Sequence, residues 1–519
     1  MASVRVFSGA VIGLDAFPVE VEVDSAPGLH SLNIVGLPDK SVKESEDRIN
    51  SAIKNSGFVA PNQKNKRIIV NLAPADIKKE GPAYDLPIAI GYLLATNQIK
   101  FNSNIRLFLG ELSLDGSLRR ISGVLPAAIM AKERGFEEII LPKENVKEAA
   151  AISGLKVIGI ESLSKLIPYL EDKSHIEPAK GIDLNDYIGR DTANSRESID
   201  MSYIKGQETA KRALTVAAAG GHNILFYGPP GSGKTLLAKA LATILPPLTY
   251  DESIELTKIY SICGLVKDEP VIWARPFRSP HHTASAVALI GGGAWPKPGE
   301  ISLAHRGVLF LDETPEFARN VIEALRQPLE NGEIIVSRAS GTIRFPSRFM
   351  LVAAMNPCPC GNYGDDLKPC TCTANVIYRY QRKISGPLLD RIDLQVNVSR
   401  ETYDNLRGPT NGKTSVETRL EVVRSRSVQQ KRFLGTTIVT NGEMGPKDIE
   451  KHCSVTAEAE ELVKNAVVGH GLSGRGYHKL LKLGRTIADL DDSELIQAKH
   501  IAEAVAYRIR PENDSLTSI

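Results

Sequence analysis

Six cysteines, two tryptophans and 6% aromatic residues are few for a chain of 519 residues. So sparse a cysteine complement excludes a secreted fold stapled by disulfides. No apolar run reaches the ~18 residues that a membrane-spanning helix needs, so no membrane partner is expected. An excess of one charge is missing too: Lys+Arg 63 against Asp+Glu 61 leaves +2. A polyanion partner is therefore invisible in the total and must be sought in local clusters. The opening stretch meets acids at Asp15 and Glu20. It lacks the basic-then-apolar order of a signal peptide, and a cytoplasmic location is expected. What is present, 42% hydrophobic and 24% charged residues, is the balance of a globular protein. At roughly 100–200 residues per domain the length suggests three or four domains.

Residues 1–171 read as an α/β unit. Val19, Val21 and Val23 alternate with Glu20, Glu22 and Asp24, the period of a half-buried strand. Arg67–Leu72 and Arg106–Glu111 predict further strands, with a helix over Leu86–Leu94 between them. Leu125–Arg134, Glu138–Leu141, Lys143–Ala151 and Leu155–Ile160 then alternate helix and strand. The periodicity vanishes over 172–202, a polar linker. A second α/β unit spans 203–399, and 400–519 is dominated by helical patterning, including Ala457–Val467 and Tyr477–Leu490. The fold class is α/β, with an α/β N-terminal domain, a P-loop core around a parallel sheet and a small helical domain.

Asn223–Tyr227 is a short apolar strand, and a helical pattern from Leu236 follows. Between them lie Gly228, Pro229, Pro230, Gly231, Ser232, Gly233, Lys234 and Thr235, which is G-x-x-x-x-G-K-T in the context that makes it a phosphate loop. Its glycines let successive N–H groups face the phosphates of ATP. Lys234 would reach the β/γ-phosphates, and Thr235 would ligate Mg²⁺. Gly307–Leu311 is a second buried strand that ends in Asp312 and Glu313, a ligand for Mg²⁺ and a carboxylate to orient the attacking water. A third, Phe349–Met355, ends in Asn356.

Cys358, Cys360, Cys370 and Cys372 form two close pairs, each with one residue between its members. They read as a tetrahedral, structural Zn²⁺ site, with redox-labile or packed thiols as the alternative. Lys413–Arg432 carries six basic and two acidic residues, among them Arg419, Arg424, Arg426, Lys431 and Arg432. On a helix this stretch either faces a nucleic-acid backbone or is a salted surface.

RPFRSPHHTASAVALIGGG, KPGEISLAHRGVLFLDETPEF, the block from Glu323 to Gly361, and ISGPLLDRIDL closely resemble magnesium-chelatase-like AAA+ ATPases. Within these the resemblance is to the ComM/YifB family, and it extends through LSGRGYHKLLKLGRTIADL. It implies that Asn356 is the sensor-1 residue and Arg475 the sensor-2 arginine. Arg391 would be a finger given to the neighbouring subunit's ATP, and such a finger implies a ring, a homo-hexamer. The segment Arg275–Glu300 resembles the family's helix-2 insert and Glu333–Phe345 its pre-sensor hairpin. Arg275, Arg278, His281, His282, Lys297, Arg338 and Arg344 are then candidates for contact with single-stranded or branched DNA. Arg306, Thr314, Gly474, Gly476 and Gly484 depart from the family's blocks.

The N-terminal unit resembles the proteolytic domain of Lon through KEGPAYDLPIAIG and GELSLDGSLRRISGVLPAAIMAKERGFEEIILPKEN. Ala83 stands at the nucleophile's place and Leu125 at the partner lysine's, so no proteolytic substrate is expected. The function implied is an ATP-hydrolysing motor on DNA, a branch-migration helicase serving natural transformation. The alternatives are a chelatase motor for metal insertion into a tetrapyrrole and a protein-remodelling ATPase.

Overall fold

The computed structural model describes residues 3–508 apart from 183–198, 268, 294–295, 339–340, 366, 402, 404–406, 408–411 and 470. The chain divides into two compact units: Met1–Ile188 with Thr249–Trp273, and Gly189–Leu248 with Ala274–Ile519.

The first unit is built on a mixed sheet of seven strands. Their order is Ser31–Val35, Lys66–Ala73, Asp15–Pro27, Val4–Ile12, Arg106–Phe108, Glu138–Pro142, Lys156–Ile160. The expected alternation holds, with Val19, Val21 and Val23 fully buried. Successive residues of three neighbouring strands feed two cores. Phe108, Ile140 and Ile158 join one with the helix Asp85–Ala95, and Leu107, Ile139 and Val157 join the other with the helix Val124–Glu133. The helix Asp85–Ala95 lies close on the sheet because Gly91 has no side chain; a Cβ there would come within 2.6 Å of Val23 Cγ2.

Asp85, fully buried at the start of that helix, accepts from Arg48 Nε at 2.7 Å and from the backbone N–H of Leu112 at 3.2 Å. Burial pushes its carboxyl up, and Arg48 and Ser45 oppose the shift.

Two sequence expectations are corrected here. Arg106–Glu111 is not one strand. It breaks after Phe108, because Gly110 donates to the Ala83 carbonyl and accepts from Leu86 instead of continuing the ladder. Lys143–Ala151 is a 3-10 turn, Lys143–Asn145, followed by a single helical turn, Val146–Ala149. The start of the polar linker stays bound to the first unit, with Ala179 N donating to Val157 O and Ile182 N to Ala150 O. Residues 183–198 of the linker lie outside the described residues, as does the polar tail.

The segment Thr249–Trp273 stands in the second α/β unit by sequence order, yet it packs into the first unit. Its helix Tyr250–Ile262 is tied there by Gly123 N donating to Ser261 O, and Ile254, Val271 and Trp273 join the core of the helix Val124–Glu133.

The second unit holds a five-stranded sheet in the order Phe277–Arg278, Val308–Leu311, Met350–Met355, Ile224–Tyr227, Leu394–Asn397, and every pairing is parallel. Continuous apolar strands suit a sheet covered on both faces. The C-terminal helices Ser415–Arg432, Gly474–Leu490 and Ala498–Ala506 share the core of this sheet. Gly484 marks a close helix crossing, since a Cβ there would meet Ile501 Cδ1 at 2.9 Å. Gly476 N donates to the Ser473 hydroxyl that caps the same helix. The strands Glu333–Arg338 and Gly341–Pro346 pair as an antiparallel hairpin.

Candidate functional site

At the carboxyl end of the strand Ile224–Tyr227 the chain turns through Gly228 into the helix Lys234–Ile244. Gly228 lies against the neighbouring strand's exit, where a Cβ would sit 2.0 Å from Val398 O. Gly231 and Gly233 take φ of +79° and +93°, values that favour glycine. No side chain caps the helix that begins at Lys234, so its first N–H groups are left without a side-chain partner, as a helix start that can take an anion requires. Ser232 Oγ is buried without a protein partner. An orphaned hydroxyl beside free N–H groups fits a phosphate.

Lys234 Nζ donates to Gly228 O at 2.7 Å, Pro229 O at 2.8 Å and Asn356 Oδ1 at 3.2 Å. Burial pulls its pKa down to about 8 against the pull of Asp312 and Glu313. Thr235 Oγ1 donates to Asp312 Oδ2 at 2.9 Å. The structure thus brings together Lys234, Thr235, Asp312 and Asn356 from three adjacent strands, while Leu236 is half-exposed on the helix.

Glu313 adopts φ +47°, a strained conformation for a residue with a side chain. It lies beside His282, whose Nδ1 is 3.9 Å from its Oε2. Thr314 donates its hydroxyl to Leu311 O and Ala354 O and so clamps two strand ends together.

Arg391 and Arg475 also come together, on a residue that the sequence does not single out. Both guanidinium groups bind Oε1 of Glu330, Arg475 at 3.1 Å. Beneath them Lys479 Nζ pairs with Asp393 at 2.7 Å, and His222 is 3.6 Å from the same carboxylate. Burial pushes Asp393 up, but Lys479 and His222 more than offset it and hold the group well below the usual carboxylate range.

The four cysteine sulfurs lie within 4.8 Å of one another. Cys358 Sγ is 3.3 Å from Cys360 Sγ and 3.7 Å from Cys370 Sγ. Backbone N–H groups of Asn362 and Thr371 help hold the Cys360 thiol down at about 5. The cluster's loop begins two residues after Asn356 and presses on the phosphate loop, since a Cβ on Gly361 would meet Pro230 Cδ at 2.6 Å.

Several basic candidates are engaged within the fold. Arg275 donates to the carbonyls of Pro246, Pro247 and Arg306, and Arg278 forms a two-pronged pair with Glu300. On the helix Ser415–Arg432, Arg426 donates to Ala218 O, Arg432 pairs with Asp489 and Arg424 with Asp492. Lys297, His281 and Lys431 are exposed, and Arg344 is exposed beside Glu333. The side chain of Arg338 lies outside the described residues. A cavity of about 480 Å³ opens at the start of the helix Glu208–Gly220, lined by Ile204, Lys205, Gly206, Lys211 and Thr418 among others. Among the described residues no helix is long and apolar enough to cross a membrane. In the first unit Leu125 is buried in the core.

Three family models match the chain: "Magnesium chelatase, subunit ChlI" over residues 200–406, "Subunit ChlI of Mg-chelatase" over 21–145 and "Magnesium chelatase, subunit ChlI C-terminal" over 412–508. The chain is 44% identical to the competence protein ComM of Haemophilus influenzae over 513 residues, 98% of each protein. It is 41% identical to the Escherichia coli protein YifB over 507 residues, 97% of this chain and 96% of that protein. It is 26% identical to the 38 kDa magnesium-chelatase subunit of Rhodobacter capsulatus, over 61% of this chain and 90% of that protein. The chain belongs to the ComM/YifB family of magnesium-chelatase-like AAA+ ATPases.

Proposed function

We propose that this AAA+ ATPase is a hexameric motor that hydrolyses ATP to move along single-stranded or branched DNA, a branch-migration helicase of the kind that supports recombination during natural transformation. The observation that carries the reading is the convergence of Lys234, Thr235, Asp312 and Asn356 around a cradle of free N–H groups. In it Lys234 would leave the loop carbonyls for the β/γ-phosphates, whose negative charge favours its ammonium form. Thr235 and Asp312 would hold Mg²⁺, which would neutralise the developing charge on the phosphates. Glu313 would take the attacking water, and Asn356 would fix its line of approach. A neighbour's Arg391 would complete the site, worth roughly 10³–10⁵ in rate.

DNA as the track is supported by the competence protein among the relatives and by the exposed Lys297 and Arg344. An ATPase assay with and without forked DNA, beside Lys234→Ala, tests it. Stimulation by DNA that is lost in the variant is expected. Turnover indifferent to every DNA tried refutes the motor on DNA and leaves the chelatase and remodelling alternatives.

The cysteine cluster fits a structural Zn²⁺. Four thiolates bound at ~2.3 Å in a tetrahedron stand about 3.8 Å apart, close to the 3.3–3.7 Å between Cys358, Cys360 and Cys370. With four sulfurs Cys358, Cys360, Cys370 and Cys372 would leave no open position, so the ion would brace the loop against Pro230 and not react. Metal analysis of protein purified without chelator should find about one zinc per chain; a metal-free, fully folded protein refutes it.

A further inference from the structure

Two arginines far apart in sequence share one carboxylate oxygen. Glu330, on the helix Arg326–Asn331, offers Oε1 to Nη2 of Arg391 and to Nη2 of Arg475. The Arg391 side chain is only 12% exposed. The Pro387 carbonyl accepts from its other terminal nitrogen, while its Nε is buried without a partner. Two guanidiniums this close repel each other, and a carboxylate between them offsets the repulsion. The ground beneath is stiff. Lys479 lies one helical turn beyond Arg475 and pairs with Asp393, two residues beyond Arg391. The opening they line, about 250 Å³, also includes Asp390, His478 and Lys482 but no residue of the phosphate loop, nor Asp312, Glu313 or Asn356. The opening that the arginine pair lines is thus separate from this chain's own phosphate cradle.

We propose that Glu330 is the positioning residue of a two-arginine site. It gathers Arg391 and Arg475 on one oxygen, so that both meet the nucleotide phosphates of a neighbouring subunit together, and it yields them when the phosphate arrives. The proposal rests on the reading that Arg391 serves a neighbour's ATP. A phosphate carries more charge than a carboxylate and accepts from both guanidiniums at once, so the exchange runs toward the nucleotide. Without Glu330 the two cations splay, and the neighbour's site loses their alignment.

The test uses the full chain and mixtures of variants. Glu330→Ala should still bind nucleotide and assemble, with kcat lower by roughly 10- to 100-fold and KM nearly unchanged, the size expected of misplaced groups. Glu330→Asp should recover most of the rate. Glu330→Gln, which keeps the size and removes the charge, carries the test if the alanine variant melts early. Mixing is the decisive step. Lys234→Ala chains cannot turn over ATP but carry an intact arginine site, so adding them to Glu330→Ala chains should restore turnover, as it should for Arg391→Ala. Mixing Glu330→Ala with Arg391→Ala should restore nothing.

A Glu330→Ala or Glu330→Gln chain with unchanged kcat overturns the proposal. So does a loss that Lys234→Ala chains fail to repair, since that places the defect in the chain's own site or fold. Failure of the underlying reading looks different: Arg391→Ala would then be as active as the parent, or would not be repaired by mixing.

Discussion

Lys479→Met removes the ammonium that sits 2.7 Å from Asp393 Oδ1. Asp393 keeps the backbone N–H of Asn223 at 3.0 Å and His222 at 3.6 Å, but among the described residues its carboxylate keeps no direct ion pair with a lysine or arginine, Arg508 reaching only its backbone carbonyl at 3.4 Å. The carboxylate is 12% exposed, and its pKa lies well below the usual range, so at neutral pH it stays charged in the parent. Breaking a buried pair by removing one partner costs about 3–5 kcal/mol. At about 2–4 °C per kcal/mol for a large domain, the melting temperature should fall by roughly 6–20 °C. Differential scanning fluorimetry checked by circular dichroism measures this.

The double variant Asp393→Asn with Lys479→Met should recover more than half of the loss, because the uncompensated charge is gone. The pH dependence has a definite sign. A carboxyl whose folded pKa is depressed contributes stability above its unfolded value of about 3.9, and the contribution is lost as pH falls through the folded value. The gap between parent and Lys479→Met should therefore hold from pH 6 to 8 and narrow below about pH 4. A variant that melts within about 2 °C of the parent at neutral pH would show that the pair is not the buried, coupled unit its geometry indicates.

Gly361→Ala adds a Cβ 2.6 Å from Pro230 Cδ at φ +82°. Nucleotide affinity should weaken by roughly tenfold, about 1.4 kcal/mol, in a fluorescent-nucleotide titration. An unchanged Kd would sever the cysteine loop from the phosphate loop. Deleting residues 1–182 strips Ile254, Val271 and Trp273 of the core they pack into. The remaining chain should elute as aggregate in size-exclusion chromatography, and a monodisperse, folded product would contradict that packing. His222 is fully buried, and burial lowers its pKa. Below about pH 6.5 the unfolded chain takes up a proton that the folded one refuses, so stability should drop by up to ~1.4 kcal/mol per pH unit between pH 6.5 and 5. Urea titrations of the parent and His222→Gln at several pH values should show the slope reduced in the variant, and equal slopes would discount the histidine.

The phosphate loop was legible because its chemistry is local. A strand, a glycine turn and a helix start are all contained between Asn223 and Leu236, and backbone conformation does the rest. Buried parallel strands leave continuous apolar runs, which is why Val308–Leu311 and Met350–Met355 could be placed with their polar ends at the site. The placement of Thr249–Trp273 was not legible. Periodicity shows that a helix has an apolar face but not which core receives it, and chain order points to the wrong unit.

Charge was the poorest guide. Arg275, Arg278, Arg426 and Arg432 have the residue type that phosphate contact needs, yet the same fork of donors serves buried carbonyls and carboxylates. Only the partner separates the two uses, and partners are distant in sequence. Glu330 is the sharpest case. It sits in an ordinary-looking LEN stretch, carries no motif, and is 61 residues from Arg391. What singles it out is that two arginines from remote segments converge on one of its oxygens. Such a residue becomes visible only when the fold is known, because its role is a relation between other residues and not a property of its own surroundings in the chain.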